Sequence, residues 1–197
     1  MKRTSAPPKR RDAAATRQAI LTSARAAFAQ FGYDGAGVRE IARGAGVTAM
    51  LVNRYFGSKE GLFAEVVAAS MSNPIILAEP NLKSPTRAAD MTAALVRITE
   101  TGAVPLEGFQ IMLRSASSAR AAEIACEQIE RHYQKVLSGA LRGEFAAQRA
   151  ALLLALVAGF QMMRQMIGLE ALAKAPQKTL IAVLEPLLRQ LLEGSTG

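Results

Sequence analysis

The chain has 197 residues, half of them hydrophobic, and a formal net charge of +8. That much apolar material builds a core and excludes wholesale disorder, while a single cysteine, Cys126, excludes an internal disulfide framework and fits a reducing compartment. Residues 1–65 hold eleven Lys/Arg against five Asp/Glu, net +6, and the remainder only net +2, so the front third carries a field suited to nucleic acid or an anionic surface.

Gly and Pro punctuate long Ala/Leu/Met-rich stretches, and no segment sustains the alternation of a strand, so an all-α fold is expected. Residues 1–11, with Lys2, Arg3, Lys9, Arg10 and Arg11 around two prolines, read as a flexible basic arm, either solvated or laid on phosphate or the minor groove. No apolar run follows of the kind a secretory signal requires. A first helix is predicted from Ala13 to Phe31, because Ile20, Ala24, Ala27, Phe28 and Phe31 share a face; Gly32 supplies its left-handed stop. GYDGAG, Gly32 to Gly37, has the wrong glycine order for a dinucleotide fold and no strand before it, so it reads as a turn.

The next stretch is GVREIARGAGVT, Gly37 to Thr48. Val38, Ile41 and Ala42 fall inward at i, i+3 and i+4, Gly46 can take positive φ at a corner, Val47 plugs the angle, and Thr48 is a good N-cap. This is the pattern of a helix-turn-helix. Its second helix, Thr48 to Tyr55, would point Val52 and Phe56 into a small core and leave Thr48, Ala49, Met50, Leu51, Asn53, Arg54 and Tyr55 for a major groove. Asn53 suits adenine, Arg54 guanine or phosphate, and Met50 and Leu51 thymine methyls; Tyr55 either packs or bonds a phosphate. Ser58 caps a further helix whose first turn carries Lys59, so a cation and free N–H groups would meet one phosphate, with Arg39 making a similar contact on the other side.

Three prolines between Met71 and Pro85 mark a boundary, giving a DNA-binding domain over 12–70 and a helical body over 71–197. In the body, helices are expected from Ser84-Pro85 to about Thr101, from Pro105 to about Arg114, from Ser118 to Leu141, from Glu144 to about Leu169, and from Pro176 to Leu192, the last kinked or broken at Pro186. Leu156, Phe160, Met162, Met163 and Met166 make the fourth of these apolar on much of its circumference. A ligand pocket is expected among the second, third and fourth, walled by Phe109, Met112, Leu113, Ile129, Tyr133 and Met163 with Arg114 and His132 as polar contacts. An apolar or amphipathic small molecule fits that lining.

REIARGAGVTAMLVNRYFGSKEGLFAEVV, together with the upstream AAFAQFGYDG, closely resembles the DNA-binding signature of TetR-type transcriptional regulators over Thr16 to Val67. The resemblance implies a three-helix DNA-binding module joined by a fourth helix to a C-terminal ligand-binding and dimerisation domain. It further implies a homodimer through a four-helix bundle of the last two helices of each subunit, in which Leu187, Leu188, Leu191 and Leu192 could be buried. The partners expected are double-stranded DNA with a near-palindromic operator and a small-molecule effector, in a cytoplasmic repressor. Many members carry Gly or Pro where Met50 stands and Tyr where Asn53 stands, so the base preference cannot be copied from a relative.

Other classes fit less well. His132 is the only histidine, and Cys126 six residues earlier would lie on another face of the same helix, so no metal, cofactor or catalytic set is expected and the protein does not read as an enzyme. Cys126 reads as a small buried hydrophobe. The longest apolar run, Ala150 to Phe160, is short for a membrane span. The alternative is a helical protein that binds apolar ligands or an anionic surface, its helix-turn-helix no longer reading DNA.

Overall fold

A computed structural model describes residues 9–72, 74–100 and 107–194, with side chains from residue 13 onward. Among the described residues there is no strand. Those up to Ser70 together with Gln110–Cys126 form one compact unit, and Met71–Phe109 together with those from Glu127 onward form the other.

In the first unit, α1 spans Lys9–Gly35, α2 Val38–Gly44, α3 Ala49–Phe56 and α4 Lys59–Met71. Helix α1 begins ahead of the expected Ala13; residues 1–8 of the expected arm lie outside the described residues. Gly32 leaves helical geometry at φ 67°, ψ −176°, and a last turn follows to Gly35. The core contains Ile20, Ala24, Phe28, Leu62, Phe63, Val66 and Val67, each without exposed surface. Phe63 is its hub, edge-on to Phe28 at 5.1 Å and to Tyr33 at 5.0 Å between ring centroids. Fully burying such a side chain contributes about 1.5–3 kcal/mol, which is how four short helices hold together.

Residues 110–126 also belong to this unit. Helix α7, Glu107–Ser115, and α8, Ala119–Ile129, turn at a corner that docks on the end of α1. The Tyr33 N–H donates to Ser115 Oγ at 2.9 Å in a buried bond, Ser118 Oγ donates to Asp34 Oδ1 at 3.1 Å, and Arg114 Nη1 donates to the Gln30 carbonyl at 3.4 Å. Such distant pairings leave no periodic trace in sequence.

In the second unit, α5, Glu79–Lys83, is an element the sequence did not announce, opened by Pro80 in its first turn. Helix α6 spans Arg87–Ile98. It starts after the expected Ser84-Pro85 because Ser84 Oγ accepts the Thr86 N–H at 3.1 Å and so serves the turn before the helix. Pro105 lies outside the described residues. The expected Ser118–Leu141 helix is α8, a π-helical turn over Glu130–Gln134, and α9, Lys135–Ala140. Helix α10, Ala146–Gln161, continues as a π-helical segment, Met162–Ile167, and ends where Gly168 takes φ 73°; α11, Glu170–Ala173, and α12, Gln177–Glu193, follow.

Helix α12 packs most extensively on α6 and places Leu180, Leu184, Leu188 and Leu192, four apart, in the core with Met91, Leu95, Leu137, Leu153 and Phe160. It runs through Pro186 without a break, and Pro186 and Ala182 four residues before it are both on the exposed side, where the loss of one helix hydrogen bond costs least. Two expectations are corrected. Leu188 and Leu192 belong to this core, so Leu187 and the partly buried Leu191 are what remains of the expected dimer set. Cys126 is exposed, since the buried face of α8 is Ala121, Ile124 and Gln128.

The 22 residues Ala146–Ile167 are long and apolar enough to cross a membrane by length and composition, with mean hydropathy 1.5, although the run Ala150 to Phe160 is too short. Only 28% of that window is buried within the chain. Its inner side packs into the core through Ala150, Leu153 and Phe160, and Leu152, Met163 and Ile167 stand exposed.

Candidate nucleic-acid interface

The helix-turn-helix is built by close approaches that few side chains permit. Gly46 takes φ 68° between α2 and α3, and a Cβ there would meet nothing within 4 Å, so backbone conformation and not crowding demands glycine. Gly44 is the opposite case: a Cβ would stand 2.4 Å from Ser23 Oγ, which itself donates to the Ile41 carbonyl at 2.8 Å. Ser23 thus ties α1 to α2 through a gap only glycine leaves. Gly61 is tighter still, with a Cβ position 2.2 Å from the Phe56 carbonyl oxygen. Neither Gly44 nor Gly61 was singled out in the sequence; a glycine inside helical periodicity was the available signal.

Helix α3 starts where Thr48 accepts the Leu51 N–H on its side-chain oxygen at 3.3 Å. Val52 and Phe56 are buried, as are Ile41 and Ala42 on α2, while Val47 is half-buried at the corner. The face left over carries Thr48, Met50, Asn53 and Arg54 exposed, and Ala49, Leu51 and Tyr55 half-buried. Met50 has 78% of its surface free, the most of any large apolar side chain among the described residues. Tyr55 lies 6.4 Å from Phe56 between ring centroids, so its ring has a packing partner as well as an open edge. Arg39 is exposed at the start of α2, and Arg43 is exposed in its last turn, 3.8 Å from Glu40.

At the start of α4, Ser58 Oγ accepts the Gly61 N–H at 3.2 Å, and its hydrogen bond to Glu60 holds that carboxyl below its usual range. The Lys59 ammonium stands 4.5 Å over the Tyr33 ring and 3.5 Å from the Asp34 carbonyl. It is half-buried and therefore already engaged, in contrast to the exposed Arg54. Burial, then the Glu60 carboxylate, raises the Tyr33 phenol above its ordinary value.

The eight expected ligand contacts divide between the units. Met112, Leu113 and Arg114 lie in the first, where Leu113 and Arg114 are exposed. Phe109, Ile129, His132, Tyr133 and Met163 lie in the second, all half-buried except the exposed Met163. Burial raises the Tyr133 hydroxyl above its ordinary value. The second unit also contains a charge that the sequence reading passed over, Arg164, with 5% of its surface exposed. Its signal was a single cation between methionines in an apolar stretch. Among the described residues no group of three or more His, Cys, Asp or Glu could hold a metal ion.

Two family models match the chain. The one described as bacterial regulatory proteins, tetR family, covers residues 20–66, and the one described as tetracyclin repressor-like, C-terminal domain, covers residues 94–192. Comparison with curated proteins gave no match. Among solved structures, a transcriptional regulator from Rhodococcus sp. Rha1 is 26% identical, with 89% of this chain and 95% of that one covered and a TM-score of 0.60. A TetR-family regulator from Streptomyces coelicolor A3 is 24% identical over 96% of this chain and 99% of that one, with a TM-score of 0.58. The multidrug binding protein EbrR, complexed with imidazole, is 20% identical and matches over 100% of both chains, with a TM-score of 0.67.

Proposed function

Because the chain belongs to the TetR family of bacterial regulatory proteins, we propose that it is a repressor that grips a near-palindromic operator with two copies of α3 and lets go when a small apolar or amphipathic molecule binds its C-terminal domain. It is a DNA-binding transcriptional regulator, of a kind that generally does no enzymatic chemistry and acts as a dimer. The observation that carries the finer reading is the free face of α3: Asn53, Arg54 and Met50 project from a helix whose opposite side is fully spoken for by Val52 and Phe56. Asn and Arg are the side chains whose two-point hydrogen bonding distinguishes adenine and guanine in the major groove. The net +6 of residues 1–65 supplies the sequence-independent attraction and makes binding weaken as salt rises. This reading places the protein in the cytoplasm, beside its operator.

Selection from random duplex DNA tests it. A near-palindrome is expected, with half-sites about one helical turn or a multiple apart. Asn53→Ala and Arg54→Ala are each expected to weaken binding to the selected site by roughly 1–3 kcal/mol and to relax selection at one position per half-site. Lys59→Ala, at the start of α4, is expected to weaken all sequences alike. Arg39, Thr48, Ala49, Leu51 and Tyr55 complete the proposed contact set. Enrichment of no palindrome would overturn the reading.

For the dimer we favour the exposed apolar side chains of α10 and α12. Leu152, Val183 and Leu187 are 58%, 63% and 45% exposed, Val183 and Leu187 four apart on one side of α12, and covering such apolar surface gains about 25 cal/mol per Å². Val183→Asp combined with Leu187→Asp is expected to shift the protein to monomer in sedimentation velocity and to abolish tight operator binding while leaving the helical circular dichroism signal intact. A variant that stays dimeric would place the interface elsewhere.

A further inference from the structure

Phe56 closes α3 and joins it to α4. The residue keeps 7% of its surface exposed, the Ser58 N–H donates to its carbonyl at 2.9 Å, and the close approach of Gly61 to that same oxygen holds the first turn of α4 against it. Arg17 of α1 lies across this joint. Its guanidinium carbon is 5.0 Å from the centre of the Phe56 ring, and its Nη2 donates to Glu65 Oε2 of α4. One cation thereby connects three helices: it is rooted in α1, covers the last residue of α3 and pairs with α4.

Both side chains of the pair are 42% exposed, so water screens their attraction and the pair adds little to stability. A cation on the outside of a DNA-binding unit is ordinarily assigned to a phosphate, but this one is already held by a carboxylate, which a phosphate would repel. Its geometry bears instead on α3. Asn53 and Arg54 stand on the turn that ends at Phe56. Two-point hydrogen bonds to base edges need their donors held to within about 0.5 Å and 10–20°, which requires neighbouring side chains that lock the element carrying them. Attraction to phosphate depends on charge and tolerates larger displacements. Holding Phe56 in place therefore matters for discrimination between sequences more than for affinity to DNA in general.

We infer that Arg17 is a positioning residue for base readout: held by Glu65, it fixes Phe56 and with it the turn of α3 that carries Asn53 and Arg54, and it does not itself contact phosphate. The inference rests on the repressor reading for the DNA that is read, but not for the clamp. The test measures binding of the full-length variants to the selected operator and to random duplex over a series of salt concentrations. Arg17→Gln and Glu65→Gln are each expected to weaken operator binding about fivefold or more and random-duplex binding by less than twofold, with the double variant no weaker than the worse single because the two act as one unit. Arg17→Lys keeps the charge without the flat face that covers Phe56 and is expected to recover only part of the loss. Glu65→Gln gives the sharpest sign, since removing a carboxylate from a basic unit would by charge alone tighten binding to every duplex. A phosphate contact would appear as a salt slope smaller by about one in Arg17→Gln, equal losses on both duplexes, and tighter binding by Glu65→Gln; that pattern overturns the inference. So does an unchanged operator preference in both variants, however far their melting temperatures fall. Circular dichroism reports folding, and should Arg17→Gln not fold, Glu65→Gln decides alone. Should no operator be selected, the repressor reading fails and amide hydrogen exchange of the DNA-free protein decides: faster exchange over Asn53–Phe56 in Glu65→Gln, with Ile20–Phe28 of α1 unchanged, supports the clamp, and equal exchange overturns it.

Discussion

Gly32→Ala is expected to destabilise the DNA-binding unit by about 3 kcal/mol or more, from two sources that act together. At φ 67°, ψ −176° the backbone sits in a region that side-chain-bearing residues avoid at a cost of about 1–3 kcal/mol. A Cβ would also stand 2.5 Å from the Arg114 carbonyl oxygen and 3.1 Å from its carbon, and backbone cannot swing aside as a side-chain tip can. Separating the two segments breaks the buried bond from the Tyr33 N–H to Ser115 Oγ, and an orphaned buried donor costs about 1–3 kcal/mol. Urea unfolding followed by tyrosine fluorescence measures the total. Ser115→Ala is the control, since it removes the acceptor without the clash; its loss is expected to be smaller and to be largely contained in that of Gly32→Ala when the two are combined. A Gly32→Ala protein as stable as its parent would mean that 110–126 does not dock on the end of α1.

Phe63→Ala is expected to cost about 3–5 kcal/mol. Phe63 is fully buried, and its ring is met edge-on by both Phe28 and Tyr33, so truncation removes two aromatic contacts and leaves a void between α1 and α4. A loss of that size is a large share of a small domain's total stability. Operator binding at growth temperature is expected to disappear and to recover in part on cooling or with added trimethylamine N-oxide, which favours burial. The helical signal of the second unit should persist. A loss below about 1 kcal/mol would show that the cavity collapses freely and that the three-ring cluster is not the hub of this unit.

The helix-turn-helix was legible because every requirement for it is local. Inward positions at i, i+3 and i+4, a glycine able to take positive φ at the corner, and a threonine whose oxygen reaches the third N–H along are all settled within a dozen residues. Gly32 was legible in part: its left-handed φ follows from the sequence, but the approach of Arg114 that forbids a side chain does not. Helix ends in the body slipped for the same reason. Ser84 looks like a cap in one dimension, yet its hydroxyl serves Thr86, and the periodicity of α12 could not say whether Leu188 faces the chain's own core or a second subunit.

By itself, then, the sequence determined that this chain is all-helical, that its front third is basic, and that one short helix offers Asn53 and Arg54 outward. These are matters of period, capping and charge, each read over a few neighbouring residues. Only the tertiary structure decided that residues 110–126 pack with the DNA-binding helices, that Lys59 is drawn onto Tyr33, and that Arg164 is buried against the end of α6 with its Nε unpaired. Which groups a buried charge meets depends on segments tens of residues away, and contacts at that distance leave no mark on local spacing.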